Sequence, residues 1–143
     1  MIVDTVVREA TGTGTTEQRR RAAVAEAVDE ALAGARSGRA VIAIRRFDDG
    51  ALVVALGGHV DRATVRDIDA VLRDVHRLAN RHLVIDLTAA RSCHAGLARV
   101  LGHARIRCLV VDAAVTVLNL PDELRDEYGH QIGGTVIPGP RAG

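Results

Sequence analysis

The stretch HLVIDLTAARSCHAGLARVL, residues 82–101, decides how this chain is read. Its first six residues form a continuous apolar run of strand length, broken only by Asp86. Such a run marks a strand covered on both faces. TAARSCHA, residues 88–95, reads as a loop. Leu97, Val100, Leu101 and Ala104 then recur at helical spacing, so a short helix follows. A strand, a loop and a helix of these lengths imply crossover units, with strands side by side and helices lying over the sheet.

Upstream, AVIAIRRF (40–47) and ALVVAL (51–56) flank Asp48-Asp49-Gly50, a strong hairpin signal. Gly57-Gly58 are expected to end the second strand. In GHVDRATVRDIDAVLRDV (58–75) and just beyond it, Val65, Ile68, Val71, Leu72, Val75 and Leu78 share one helical face. Thr64 is the expected N-cap, with Asp67 three residues on. Downstream, RCLVVDA (107–113) repeats the buried-strand pattern. A helix is expected over residues 115–128, broken at Pro121, and TVIPGP (135–140) reads as a terminal edge strand.

The first 38 residues stand apart. Ile2 to Val7 is a short apolar piece, and ATGTGT (10–15) reads as a flexible linker, since no GK[ST] follows to make a phosphate loop. Thr15 and Gln18 form a capping box at the start of a helix. Val24, Val28 and Leu32 give that helix a narrow apolar stripe, expected to pack on the domain's own sheet or on another copy. Gly34 and Gly38 are expected to stop it. Arg19, Arg20 and Arg21 sit at the end where the helix dipole disfavours cations, and read as a solvated face. The chain is therefore divided into an extension, 1–38, and a domain, 39–143.

Composition removes whole function classes. The chain has 143 residues, 48% of them apolar, which suffices for one domain with its own core. All 19 basic residues are arginine, so there is no lysine for a phosphate loop, a Schiff base or general-base work. Phe47 and Tyr128 are the only aromatics, too few to stack nucleic-acid bases. A net charge of +1 sets up no field toward nucleic acid or anionic lipid. No apolar stretch approaches the roughly 20 residues of a membrane helix. MIVDTVVREA lacks the apolar core of a signal peptide. Cys93 and Cys108 fit no disulfide framework or zinc spacing and read as reduced thiols in a cytoplasmic protein. The six histidines (59, 76, 82, 94, 103 and 130) include no HxxxH or HExxH pair, and no GxSxG surrounds Ser92, so no catalytic set, metal or cofactor is expected. Cys93 would be redox-responsive if the following helix end favoured its thiolate.

Residues 40–128 resemble the STAS domain of bacterial anti-sigma-factor antagonists. GHVDRATVRDIDAVLRDV is similar to that family's glycine-x-hydrophobic-aspartate turn and first helix, and HLVIDLTAARSCHAGLARVL to its central strand, loop and next helix. The resemblance implies an α/β fold: a STAS-like domain with a small mixed or parallel β-sheet and packed helices, plus an N-terminal helical extension. It implies a regulator rather than an enzyme. The partner would be an anti-sigma factor of the serine-kinase type, in transcription regulation and stress response; a homodimer is the separate alternative left open by the apolar stripe of the N-terminal helix. The docking set it implies is Asp61, Arg62, Cys93, His94, Ala95, Gly96, Leu97 and Arg99. In the family a serine at the start of this helix, in an Asp-Ser-Ser-Gly-Leu segment, is phosphorylated as the switch. Counting back from Gly96-Leu97 puts Cys93 at the acidic position, His94 at the acceptor and Ala95 at the next serine. Counting forward from Asp86 puts His94 at the acidic position and Ala95 at the acceptor. Neither supplies a hydroxyl. Ser92 is the nearest serine and the alternative phosphosite. Rival readings are an accessory STAS subunit bound to the ATPase of an ABC-type lipid transporter, a nucleotide or small-ligand sensor using the helix start at Gly96, and an enzyme with a pocket around His94.

Overall fold

The structure, a computed structural model, describes residues 4–10, 12–76 and 81–131. Along the chain run β1 (Asp4–Glu9), α1 (Thr16–Arg36), β2 (Val41–Arg46), β3 (Ala51–Val60), α2 (Arg62–His76), β4 (His82–Asp86), β5 (Ala90–Cys93), α3 (Gly96–Val110), β6 (Ala114–Leu118) and α4 (Asp122–Gln131). The sheet order is β1-β2-β3-β4-β6, with β5 pairing only to β3. Strands β2 and β3 are the expected hairpin, antiparallel from Val41↔Gly57 to Arg46↔Leu52. Gly50 closes its turn at φ +92, a conformation that glycine reaches without strain. Every other pairing is parallel.

Period-two alternation sorts the strand residues between two cores. Ile42, Ile44, Leu52, Val54, Leu56, Leu83 and Ile85 face Ile68, Leu72, Leu97, Leu101 and Leu124 of α2, α3 and α4. Ala43, Ala51, Val53, Ala55 and Val84 face the other way, onto Ala23, Ala27 and Ala31 of α1. The sheet is thus buried on both sides, which explains the continuous apolar runs.

Helix α1 belongs to this second layer. Thr15 and Gln18 form the capping box, with Gln18 N donating to Thr15 Oγ1 at 3.1 Å and Thr15 N to Gln18 Oε1 at 2.9 Å. The buried stripe is Ala23, Ala27, Ala31 and Ala35 rather than Val24, Val28 and Leu32, which pack half-buried beside it. Small side chains let the helix lie close on the sheet. A Cβ on Gly57 would strike the Ala31 carbonyl, and one on Gly34 would strike Val41. Gly34 therefore lies inside the helix, which ends with a cap at Ser37. Arg45, 5% exposed, is held between Glu30 at 2.8 Å and Glu26 at 3.5 Å, while Arg8 reaches Glu30 at 3.5 Å. The basic run is also employed. Arg19 lies over the Phe47 ring, Arg20 meets Asp49 and His82, and Arg21 pairs with Glu17.

Several expectations are corrected. Residues 4–9 form an edge strand pairing β2. Strand β3 runs on through Gly57-Gly58 to Val60, Gly58 taking φ +94 against the Arg39 carbonyl. Residues 90–93, read as loop, form β5. RCLVVDA is the last turn and C-cap of α3, and the strand comes one step later as β6. Val115–Leu118 is strand, so the last helix starts only at Asp122, after Pro121. Leu78 and the 135–140 segment lie outside the described residues. Among the described residues no helix is long and apolar enough to cross a membrane.

Two outcomes test this layout. Gly57→Ala is expected to lower the urea midpoint by about 2 kcal/mol of stability with an unchanged slope, because β3 and α1 must separate. His82 accepts at Nδ1 from Arg20, 3.5 Å away, and donates from Nε2 to Thr116 Oγ1 at 2.8 Å. Burial, and then the Arg20 charge, hold its pKa below the ordinary 6.5. The unfolded chain therefore takes up a proton that the folded chain refuses. Stability should fall as pH drops below about 6.5, and the fall measured by thermal melts should be smaller in His82→Gln.

Candidate functional site

The site is built where β3 and β5 end and α2 and α3 begin. Strand β5 exists because β3 overruns its partner β4. Residues 51–55 pair with β4, and after a register shift at Gly58/His59 the last residues pair with β5, His59↔Ser92 and Val60↔Cys93. The connection is tight, with Ala90 N donating to Leu87 O at 3.1 Å and Gly58 N to Ala89 O at 3.1 Å. Asp86, 3% exposed, takes the Thr88 N–H at 2.7 Å, and Asn119 donates to Thr88 Oγ1 at 2.7 Å. These bonds tie the ends of β4 and β6 beneath the site.

At the starts of α2 and α3 a side chain just after the preceding strand accepts a first-turn N–H. Asp61, not Thr64, caps α2: its Oδ1 accepts from Thr64 N at 2.8 Å, while Thr64 lies buried in the first turn. The Thr64 N–H holds the Asp61 carboxyl below the usual range, so its charge persists into acid. His94 caps α3. Its N–H donates to Val60 O at 2.7 Å, and its Nδ1 accepts from Gly96 N at 2.9 Å. An accepting Nδ1 fixes the neutral tautomer with the proton on Nε2. Gly96 leaves room for that ring, since a Cβ there would stand 3.1 Å from Nδ1 and 3.7 Å from Val65 of α2. The first turn of α3 thus leaves space for one methyl group at most on the side of Val65, and α2 and α3 pack on each other.

The expected docking set is only partly on the surface. Asp61, Arg62, His94, Ala95 and Arg99 are exposed, and Gly96 is half-buried. Leu97 is fully buried in the core below α3. Cys93 is half-buried against the same core. Burial, and then Glu123, push its thiol above the ordinary range, so burial outweighs the helix end. Ser92 is exposed, and its hydroxyl lies 2.9 Å from His59 Nδ1. The sequence did not reveal this contact, because His59 and Ser92 meet only through β5. Among the described residues no cluster of three histidine, cysteine, aspartate or glutamate side chains is placed to hold a metal. What the arrangement offers is exposed charge of both signs, Asp61, Arg62 and Arg99, near two helix starts held by side-chain bonds.

Comparison with known proteins agrees with this layout. The family model described as "Mlab, STAS domain" matches residues 43–128, from β2 into α4. Among solved structures, the chain is similar to one described as the structure of the Bacillus cell fate determinant SpoIIAA in the phosphorylated form. The TM-score is 0.55 at 14% identity, covering 65% of this chain and 84% of that one, a likeness of fold. No curated protein matches the chain in sequence.

Because the His94 ring accepts the Gly96 N–H, His94→Ala should lower stability by about 1 kcal/mol. His94→Asn, which returns an acceptor oxygen to the same place, should recover most of the loss. Urea unfolding of the three proteins measures it.

Proposed function

This chain belongs to the STAS domain family, and from that premise we propose that it is a non-enzymatic regulator of the bacterial cytoplasm that acts by docking an anti-sigma factor of the serine-kinase type. STAS domains are generally non-enzymatic regulators. The observation that supports the proposal is that the starts of α2 and α3, two helices packed on each other, leave Asp61, Arg62, His94, Ala95 and Arg99 exposed. The site is pre-formed by backbone bonds and caps, so a partner meets it at little ordering cost.

Phosphate regulation, on this reading, does not follow the family's serine switch. His94 and Ala95 occupy the acceptor region in either counting. The His94 Nδ1 is engaged by the Gly96 N–H, and Ala95 has no hydroxyl. Ser92 is the one hydroxyl beside them, exposed and next to His59. It is the site at which a kinase partner would act.

A second reading has one observation in its favour. A permanent subunit needs no switch to release its partner, and the missing acceptor hydroxyl suits an accessory subunit on the ATPase of an ABC-type lipid transporter.

Affinity purification of the tagged chain from its native host, followed by mass spectrometry, separates the two. An anti-sigma factor retained by wild type, and at least about tenfold less by Arg62→Glu/Arg99→Glu, supports the proposal. A transporter ATPase with the same dependence moves the assignment to the second reading. Retention of neither, or retention indifferent to the two arginines, overturns the docking face.

A further inference from the structure

The far end of α3 carries a second surface. Its last turn and C-cap expose Ile106, Leu109, Val110 and Val111, with Leu109 60% and Val110 80% exposed. These residues are not exposed by fraying. Val111 N donates to Cys108 O at 3.1 Å, Asp112 N to Leu109 O at 3.1 Å, and Ala113 N to Cys108 O at 2.8 Å. Asp112 takes φ +61 to complete that turn. A hydrogen-bonded turn thus holds large aliphatic side chains in water, a feature that marks an interaction surface.

Beside this ridge lies a cavity of about 390 Å³, lined by Arg105, Leu109, Asp112, Ala113, Ala114 and Val115. Ridge and cavity are adjacent on one molecule, and the cavity lining carries one charge of each sign, Arg105 and Asp112. Among the described residues neither exposed Asp112 nor half-buried Arg105 has an ion pair. A surface holding both halves of a fit suits a two-fold axis, across which each element meets its complement on the other copy.

We propose that this end of α3 is a two-fold interface between two copies of the chain. Val110 of each copy enters the cavity of the other, and Arg105 of each copy faces Asp112 of the other. A net charge of only +1 gives little repulsion between copies. The interface lies about 20 Å along α3 from the Gly96 turn, at 1.5 Å per helical residue. It leaves the docking face open and stands whether or not that face binds its partner.

Sedimentation velocity and light scattering of the full chain at tens of micromolar test it. Wild type is expected at twice the chain mass, and Val110→Glu, a change at an exposed position, at a single chain mass with an unaltered circular dichroism spectrum. Arg105→Asp and Asp112→Arg should each weaken the dimer about tenfold, and the double exchange should restore it. Wild type at a single chain mass throughout the range overturns the proposal, as does a dimeric Val110→Glu chain. A dimer in which the double exchange recovers nothing overturns the Arg105–Asp112 pairing.

Discussion

A strand buried on both faces has to be paired on both edges and covered by two separate layers, and β3 imposes that requirement on the whole chain. Eight of its ten residues, from Ala51 through Gly58, form an unbroken buried run. Strand β2 satisfies one edge, and β4 and then β5 satisfy the other. Leucines and isoleucines of α2, α3 and α4 cover one face, while the other is left to α1. Because β3 outlasts β4, the chain after β4 finds a free length of edge and pairs there. That pairing delivers Ser92, Cys93 and His94 to the start of α3.

The hairpin, the central strand, the amphipathic face of α2 and the α1 capping box were legible because each rests on local chemistry. Asp49-Gly50 prescribes a turn, and Val65, Ile68 and Leu72 prescribe a face. What was illegible depends on partners distant in sequence. ARSC has no apolar alternation, and it becomes a strand only because β3 offers an edge. RCLVVDA looks like a buried strand because its aliphatic residues are consecutive, yet Leu109, Val110 and Val111 lie exposed at a helix end. The alanines of α1 read as helix formers and not as its buried face, because a small residue carries little signal in a hydropathy pattern, although here smallness permits the close approach to Gly57.

The site shows the same division. The resemblance drew attention to residues 93–97, and the structure separates them by role. His94 and Asp61 hold the helix starts, Leu97 anchors α3 in the core, and Cys93 bridges surface and core. A loop histidine read alone says nothing about which nitrogen is free. The Gly96 N–H settles that Nδ1 is engaged, leaving Nε2–H as the group facing solvent.

The alanine face of α1 has one further consequence. Ala23, Ala27, Ala31 and Ala35 recur every fourth residue, so sliding the helix by one turn would replace like with like. Such a face gives adhesion without a preferred translational register. Two features break the degeneracy. Gly34 passes Val41 where no other residue fits, and buried Arg45 finds its carboxylates only when Glu26 and Glu30 stand opposite. The buried charge therefore serves as an index mark, selecting one of several nearly equivalent seats for the helix.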